Sequence, residues 1–197
     1  MAKMTWNDEI AGVAQELSDT CVFQHDFEQR CDGKSVGQNI YWSSVQSLNE
    51  DTLLDSMKKW HDEIDYFDFE KNSCEKGEVC GHYTQMIWST NYQVGCGATV
   101  CLGYGVIVAC NFYPGGNVGT ALPFEKASTP CADCTSIFTR KVSSGTKCED
   151  KLCALVTESC VDANIKIKNC IAFSDLCKGE SNLPFMTENC AKTCDLC

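Results

Sequence analysis

The sequence predicts an α+β layered sandwich followed by a smaller unit that depends on cross-links. Three observations predict this. Helix-spaced and strand-like apolar patterns alternate through the front part of the chain, the signature of helices and antiparallel strands sharing one core. Cysteine supplies 17 of the 197 residues, the density of a disulfide scaffold. Those cysteines are unevenly shared, seven in residues 1–126 and ten in residues 127–197. Charge divides at the same place, with a net of −10 before residue 127 and −1 after it. The polar stretch Glu125–Pro130 reads as the linker. The front part is long enough to bury a core. The tail is not, and needs disulfides worth about 2–4 kcal/mol each.

The first element is a helix, because Trp6, Ile10, Val13, Ala14, Leu17 and Cys21 repeat at helical spacing. Asn39–Ser43 reads as a strand. A second helix is expected to begin near Ser47, where Ser47-Leu-Asn-Glu50 has the form of a capping box. Its apolar face would run through Leu53, Met57, Trp60, Ile64 and Phe67. Val94–Val100 and Gly105–Phe112 read as two strands of a hairpin, joined at Leu102-Gly-Tyr-Gly105.

Composition excludes several functions. A net charge of −11 argues against a nucleic-acid partner, whose affinity comes from Lys and Arg displacing counterions, and equally against docking on anionic lipid. No run of 18 or more apolar residues offers a membrane span. Only Cys131/Cys134 and Cys194/Cys197 have the C-x2-C spacing of a zinc ribbon. The other cysteines sit one at a time, as in a disulfide framework built in an oxidising, exported setting. The charged Asn7-Asp-Glu9 follows at once on Met1–Trp6, so no signal peptide opens the chain.

Particular segments carry a resemblance. Gly81-His-Tyr-Thr-Gln-Met-Ile-Trp88 with Val94-Gly-Cys-Gly97 is similar to the first signature of the CAP superfamily of cysteine-rich secretory, antigen 5 and pathogenesis-related proteins. Val108-Ala-Cys-Asn-Phe-Tyr-Pro-Gly-Gly-Asn117 resembles the second. Met4–Trp6 through Ala14-Gln15, Cys21–His25, Gly37–Ile40 and Trp60–Glu63 match further landmarks in order. The tail spacing Cys160-x9-Cys170-x6-Cys177-x12-Cys190-x3-Cys194-x2-Cys197 resembles the ShK-like domains of sea-anemone toxins.

The resemblance implies a three-layer α-β-α sandwich at residues 1–124, a cysteine-rich hinge at 125–159 and an ShK-like module at 160–197. It implies secretion, and a chain lacking its original front helix and signal peptide. It implies the pairs Cys21–Cys101, Cys74–Cys80 and Cys96–Cys110 in the front domain, and Cys131–Cys148 and Cys134–Cys153 in the hinge. For the tail it implies Cys160–Cys197, Cys170–Cys190 and Cys177–Cys194. Spacing alone leaves six cysteines 15 pairings. Cys31 is left over.

Three chemistries follow from the resemblance. A cleft of two histidines and two acids maps to His25, His82 and Glu63, with Gln38 where the second acid stands. His25 and His82 are the candidate zinc ligands, Glu63 or water completing a tetrahedron. No cofactor is required by this reading, and Zn2+ is the one the cleft suggests. A metal-assisted hydrolase or protease would use His25, Glu63 and His82, but a two-carboxylate mechanism lacks a member. Neither an HExxH stretch nor a GxSxG elbow is present. Second, Tyr66, Phe67 and Phe69 are the candidate mouth of a site for sterol or fatty acid. Third, the tail could act on an ion channel, as toxins do with a Lys followed by an aromatic. Pro184-Phe185 holds that place here, so Phe185 keeps the aromatic while Lys178 is the only cation between Cys177 and Cys190. The expected function is an extracellular binding module for a lipid or a cell-surface protein. Channel modulation and metal-assisted hydrolysis are the alternatives.

Overall fold

The computed structural model describes residues 1–26, 30–31, 34–134, 137 and 145–155. The chain forms two compact units, Met1–Val142 with Thr146–Ala154, and Ser143–Gly145 with Leu155–Cys197. The three tail pairings expected from the resemblance lie outside the described residues, as do Lys178 and Phe185.

In chain order the elements are β1 (Thr5–Trp6), α1 (Asp8–Asp19), β2 (Arg30–Cys31), β3 (Lys34–Ser35), β4 (Gly37–Ser43) and α2 (Glu50–Asp62). A 3-10 turn (Glu63–Tyr66), β5 (Phe67–Asp68), β6 (Ser73–Cys74), α3 (Gly81–Met86), β7 (Gln93–Cys101) and β8 (Gly105–Tyr113) follow. The hinge adds β9 (Thr146–Glu149) and β10 (Leu152–Leu155). The main sheet has the order β1-β7-β8-β4. β1 runs parallel to β7, and the other neighbours are antiparallel.

β8 is buried along its whole length, so both faces of the sheet are covered. Val106, Val108, Cys110 and Phe112 pack with Trp60 of α2, and Met86 of α3 joins them. Ala109, on the opposite face, packs with Ala14 and Leu17 of α1 and with Ile40. The result is three layers, α1 on one side and α2 with α3 on the other. The closeness of α1 depends on two glycines of β7. A Cβ on Gly97 would sit 2.3 Å from Gln15 Cα, and one on Gly95 would sit 2.4 Å from the Ala11 nitrogen.

The first helix is shorter than its periodicity suggests. Trp6 belongs to β1 and is exposed, and Cys21 lies past the helix with φ of 56°. Asn7 ends the extended segment by accepting from the amides of Glu9 and Ile10, which starts the helix there. The second helix starts at Glu50, not near Ser47. Asn49 is the N-cap, its side chain accepting from the Thr52 amide at 2.9 Å. Its buried face keeps the expected Trp60 and Met57 but not Leu53 or Ile64. Thr52, Ser56 and Trp60 are buried, whereas Leu53 and Ile64 are 40 % and 42 % exposed.

The strands agree closely with their patterns, and the hairpin tip falls where Gly103 and Gly105 take φ of 73° and 132°. Glu125–Pro130 is exposed and irregular. Five disulfides are described: Cys21–Cys101, Cys74–Cys80, Cys96–Cys110, Cys131–Cys148 and Cys134–Cys153. Cys31 sits in β2, and its side chain lies outside the described residues.

Candidate functional site

The four cleft residues come from four segments: His25 from the loop after α1, Gln38 from β4, Glu63 from the 3-10 turn after α2, and His82 from α3. The structure brings them together as two pairs. His25 Nδ1 lies 3.0 Å from Gln38 Oε1, and His82 Nδ1 lies 2.5 Å from Glu63 Oε1. Adjacent residues of the edge strand β4 serve both pairs. Gln38 holds His25, and Asn39 donates to the His82 carbonyl at 3.0 Å.

Each pair is anchored further. The Asp26 amide donates to Gln38 Oε1 at 3.2 Å, and Gln38 Nε2 donates to Asn111 Oδ1 at 3.1 Å. Asn111, fully buried on β8, donates in turn to the Ile10 carbonyl of α1. On the other side Glu63 Oε2 accepts from the amides of His82 and Tyr83 at 2.9 and 3.0 Å. Those are first-turn amides of α3, whose own N-cap Cys80 makes no side-chain cap. Glu63 therefore caps α3 from outside the helix, a charge-assisted arrangement. Its side chain is only 12 % exposed and that of His82 26 %. Trp60 backs the site, its ring stacked on His82 at 6.1 Å and 14°.

This geometry fixes the tautomers. Because the Asp26 amide can only donate, the Gln38 atom it meets is an oxygen, and His25 Nδ1 must carry the proton. The carboxylate of Glu63 imposes the same on His82 Nδ1. A neutral ring then carries its lone pair on Nε2, the orientation that second-shell acceptors give to metal-binding histidines. Gln38 orients the ring of His25 and Glu63 that of His82, and Nε2 is then the atom each ring could offer a metal ion. Glu63 Oε2 takes the two amides and Oε1 takes the ring, so the carboxylate serves as cap and orienter.

The aromatic residues lie apart from these pairs. Phe69 stacks on Phe124 at 4.6 Å and is covered by Lys126, whose Nζ stands 4.9 Å from the ring centroid. Phe67 meets Tyr83 and Phe69 at 6.1 and 6.3 Å, and Tyr66 is exposed. Phe67 borders two clefts. One, of about 300 Å3, is lined by Trp88, Thr84, Asn117, Pro123 and the Cys74–Cys80 loop. The other, of about 350 Å3, carries Tyr66, Asp65, Asp68, Lys71 and Glu75 and is largely charged. His61 is exposed, its ring edge-on to Tyr83. Sequence reasoning missed Asn39 and Asn111, which fix the pairs. Their only sequence signal is a place inside the Gly37–Ile40 and Val108–Asn117 segments.

Comparison with known proteins places the chain. A profile of the cysteine-rich secretory protein family, CAP, matches residues 1–112, and a ShK domain-like profile matches residues 159–197. Pathogenesis-related protein 1C of Nicotiana tabacum is 35% identical over 125 residues, covering 61% of this chain and 69% of that protein. Peptidase inhibitor 16 of Mus musculus is 32% identical over 160 residues, 78% of this chain but 29% of that protein. The chain therefore spans less than a third of the length of that relative. Among solved structures, Na-ASP-1 superposes with a TM-score of 0.62 at 27% identity, covering 78% of this chain and 38% of that one. NaASP2, solved with Zn2+, gives 0.55 at 28% identity, covering 66% of this chain and 70% of that one. With the CAP profile over more than half its length and a three-layer core, the chain belongs to the CAP family of cysteine-rich secretory proteins and carries an ShK-like segment at residues 159–197.

Proposed function

We propose that this protein acts outside the cell by binding, with a cell-surface protein as the first class of partner and no hydrolytic step of its own. The observation that carries this reading is the commitment of Glu63. A general base needs an oxygen within reach of a substrate proton. Glu63 Oε2 here accepts from two backbone amides and Oε1 from His82 Nδ1, which ties the carboxylate to structural partners. Gln38 has no charge to offer in its place. Secretion is supported by the disulfide-rich framework and by the family. The net charge of −11 favours a partner that presents cations.

The histidine pair supports weak zinc binding. Two imidazoles supply half of a tetrahedral set, and the protein ligands are one short of the three usual at catalytic zinc. Zinc bound there would supply Lewis-acid chemistry. The chain's own residues hold and orient the rings. A lipid reading draws on the cleft beside Phe67, whose 300 Å3 lies at the lower end of small-ligand sites.

The test uses oxidised full-length protein and a His25→Ala/His82→Ala variant. Unchanged cell-surface binding by the variant, with no hydrolysis of casein or lipid esters by either protein, supports the proposal. Hydrolysis by the wild type that the variant loses overturns it in favour of the enzyme. Native mass spectrometry and organic extraction of the same preparation decide the ligand class, and a stoichiometric sterol or fatty acid makes the domain a lipid carrier.

A further inference from the structure

The hinge contains a sulfur cluster that the cleft does not use. Cys131–Cys148 and Cys134–Cys153 are separate bonds, yet the sulfurs of Cys131, Cys134 and Cys153 all lie within 4.8 Å of one another. Three cysteines at such spacing would suggest a metal site if they were thiolates. As disulfides they hold no ligand charge, and their proximity has a different chemical meaning. The sulfur released by opening one bond would already stand against the other bond.

Exposure sets the order of events. Cys148 is exposed, Cys131 and Cys134 are half-buried, and Cys153 is 1 % exposed. The frame does not depend on the bonds alone. The Cys153 amide donates to the Met1 carbonyl at 2.8 Å, and the Cys153 carbonyl accepts from the Lys3 amide at 2.7 Å. Lys3 Nζ also reaches Asp150 at 2.8 Å and pairs with Glu149. β9 and β10 therefore keep Cys148 and Cys153 in place while a bond is open.

We propose that the hinge is a thiol–disulfide exchange site for a small extracellular thiol, entered at Cys148 and relayed by Cys131. The incoming thiolate attacks Cys148 Sγ. A mixed disulfide forms there, the bond to Cys131 breaks, and its electron pair leaves on Cys131 Sγ. The Cys131 thiolate then attacks Cys153 Sγ, forming Cys131–Cys153 and expelling Cys134 as thiolate. Attack at Cys134 instead would leave the charge on buried Cys153, at a large desolvation cost. Finally Cys134 attacks the mixed disulfide at Cys148, forms Cys134–Cys148 and returns the small thiol. Two disulfides enter and two leave, so no net oxidant or reductant is needed. The hinge thereby has a second pairing open to it, and glutathionylated Cys148 is the intermediate.

The test incubates oxidised full-length protein with reduced glutathione, followed by acid quench, alkylation with N-ethylmaleimide and non-reducing peptide mapping. Cleavage at Asp133, Arg140 and Lys151 places these four cysteines on separate peptides. The expected result is glutathione on Cys148 together with Cys131–Cys153 and Cys134–Cys148 peptides. The front-domain bonds Cys21–Cys101 and Cys96–Cys110 keep their partners. A Cys131→Ser/Cys148→Ser variant should lose the exchange, its Cys134–Cys153 bond persisting under the same thiol. Glutathione on Cys148 without exchanged peptides overturns the relay, and so does absence of any reaction. Opening of Cys134–Cys153 in the variant as fast as in the wild type overturns it independently.

Discussion

Glu63 performs two structural tasks with one carboxylate. Its carboxylate closes the first turn of α3 and orients His82, and the two tasks use both of its oxygens. Glu63→Ala strands two backbone amides and a ring nitrogen in a half-buried place, and the expected cost is about 1–3 kcal/mol. Glu63→Gln keeps an acceptor for the amides and should lose less. Guanidinium unfolding with the disulfides intact measures both. A variant as stable as wild type would show that the cap is not structural. These four residues were legible in the sequence only through their place in family segments. Nothing in Trp60-His-Asp-Glu63 states that Glu63 meets an amide 19 residues on, because a tertiary cap leaves no local spacing. His25 and His82 were found for the same reason, while Asn39 and Asn111 looked like ordinary strand residues.

At the scale of elements, caps and close approaches decide what periodicity does not. Ser47 and Asn49 are both competent caps by type, and only the path of the chain selects Asn49. Asn49→Ala should cost about 1 kcal/mol, while Ser47→Ala should stay within about 0.5 kcal/mol, as thermal unfolding of the two variants would show. The buried face of α2 agrees with its pattern at Met57 and Trp60 and departs from it at Leu53 and Ile64, because apolar type does not by itself decide burial. Small Thr52 and Ser56 lie buried, and larger Leu53 and Leu54 are left outside. The seam between α1 and β7 works by the same logic. Gly97→Ala would press a methyl into helix backbone at Gln15, which no rotamer change relieves, and should cost about 1–3 kcal/mol by denaturant midpoint. The long strands were readable because apolar residues and turn glycines agree over seven to nine residues. Two-residue strands such as β1 and β5 carry no period and were missed.

Across the whole described unit, the first residues and the hinge hairpin hold each other. The isolated bridge Ala2–Cys153 and the Lys3 ion pairs join segments about 150 residues apart. Lys147 and then Lys3 hydrogen-bond Glu149 and lower its pKa from 4.5 to about 2. A carboxyl depressed in the folded state stabilises fully above its unfolded pKa and loses that contribution as pH falls toward the folded value. Docking of the hairpin should therefore weaken between pH 4.5 and about 2. Hydrogen exchange at the Lys3 and Cys153 amides reads this directly. A Glu149→Gln variant, which keeps the Lys3–Asp150 pair, should show a shallower dependence in that window.

The bond between Cys21 and Cys101 closes a loop of 80 residues, which contains β4, α2 and α3. Every peptide bond in that loop, including those beside exposed Val22, Phe23 and Val45, lies inside a covalent ring. Cutting the backbone there opens the ring without dividing the molecule. α1 stays tied to the tip of the β7–β8 hairpin, and Gly95 and Gly97 still receive it. In a protease-rich fluid the domain should accumulate as a nicked species of full mass, separating into two bands only after reduction. Under the proposed binding role, a severed loop is then a survivable injury.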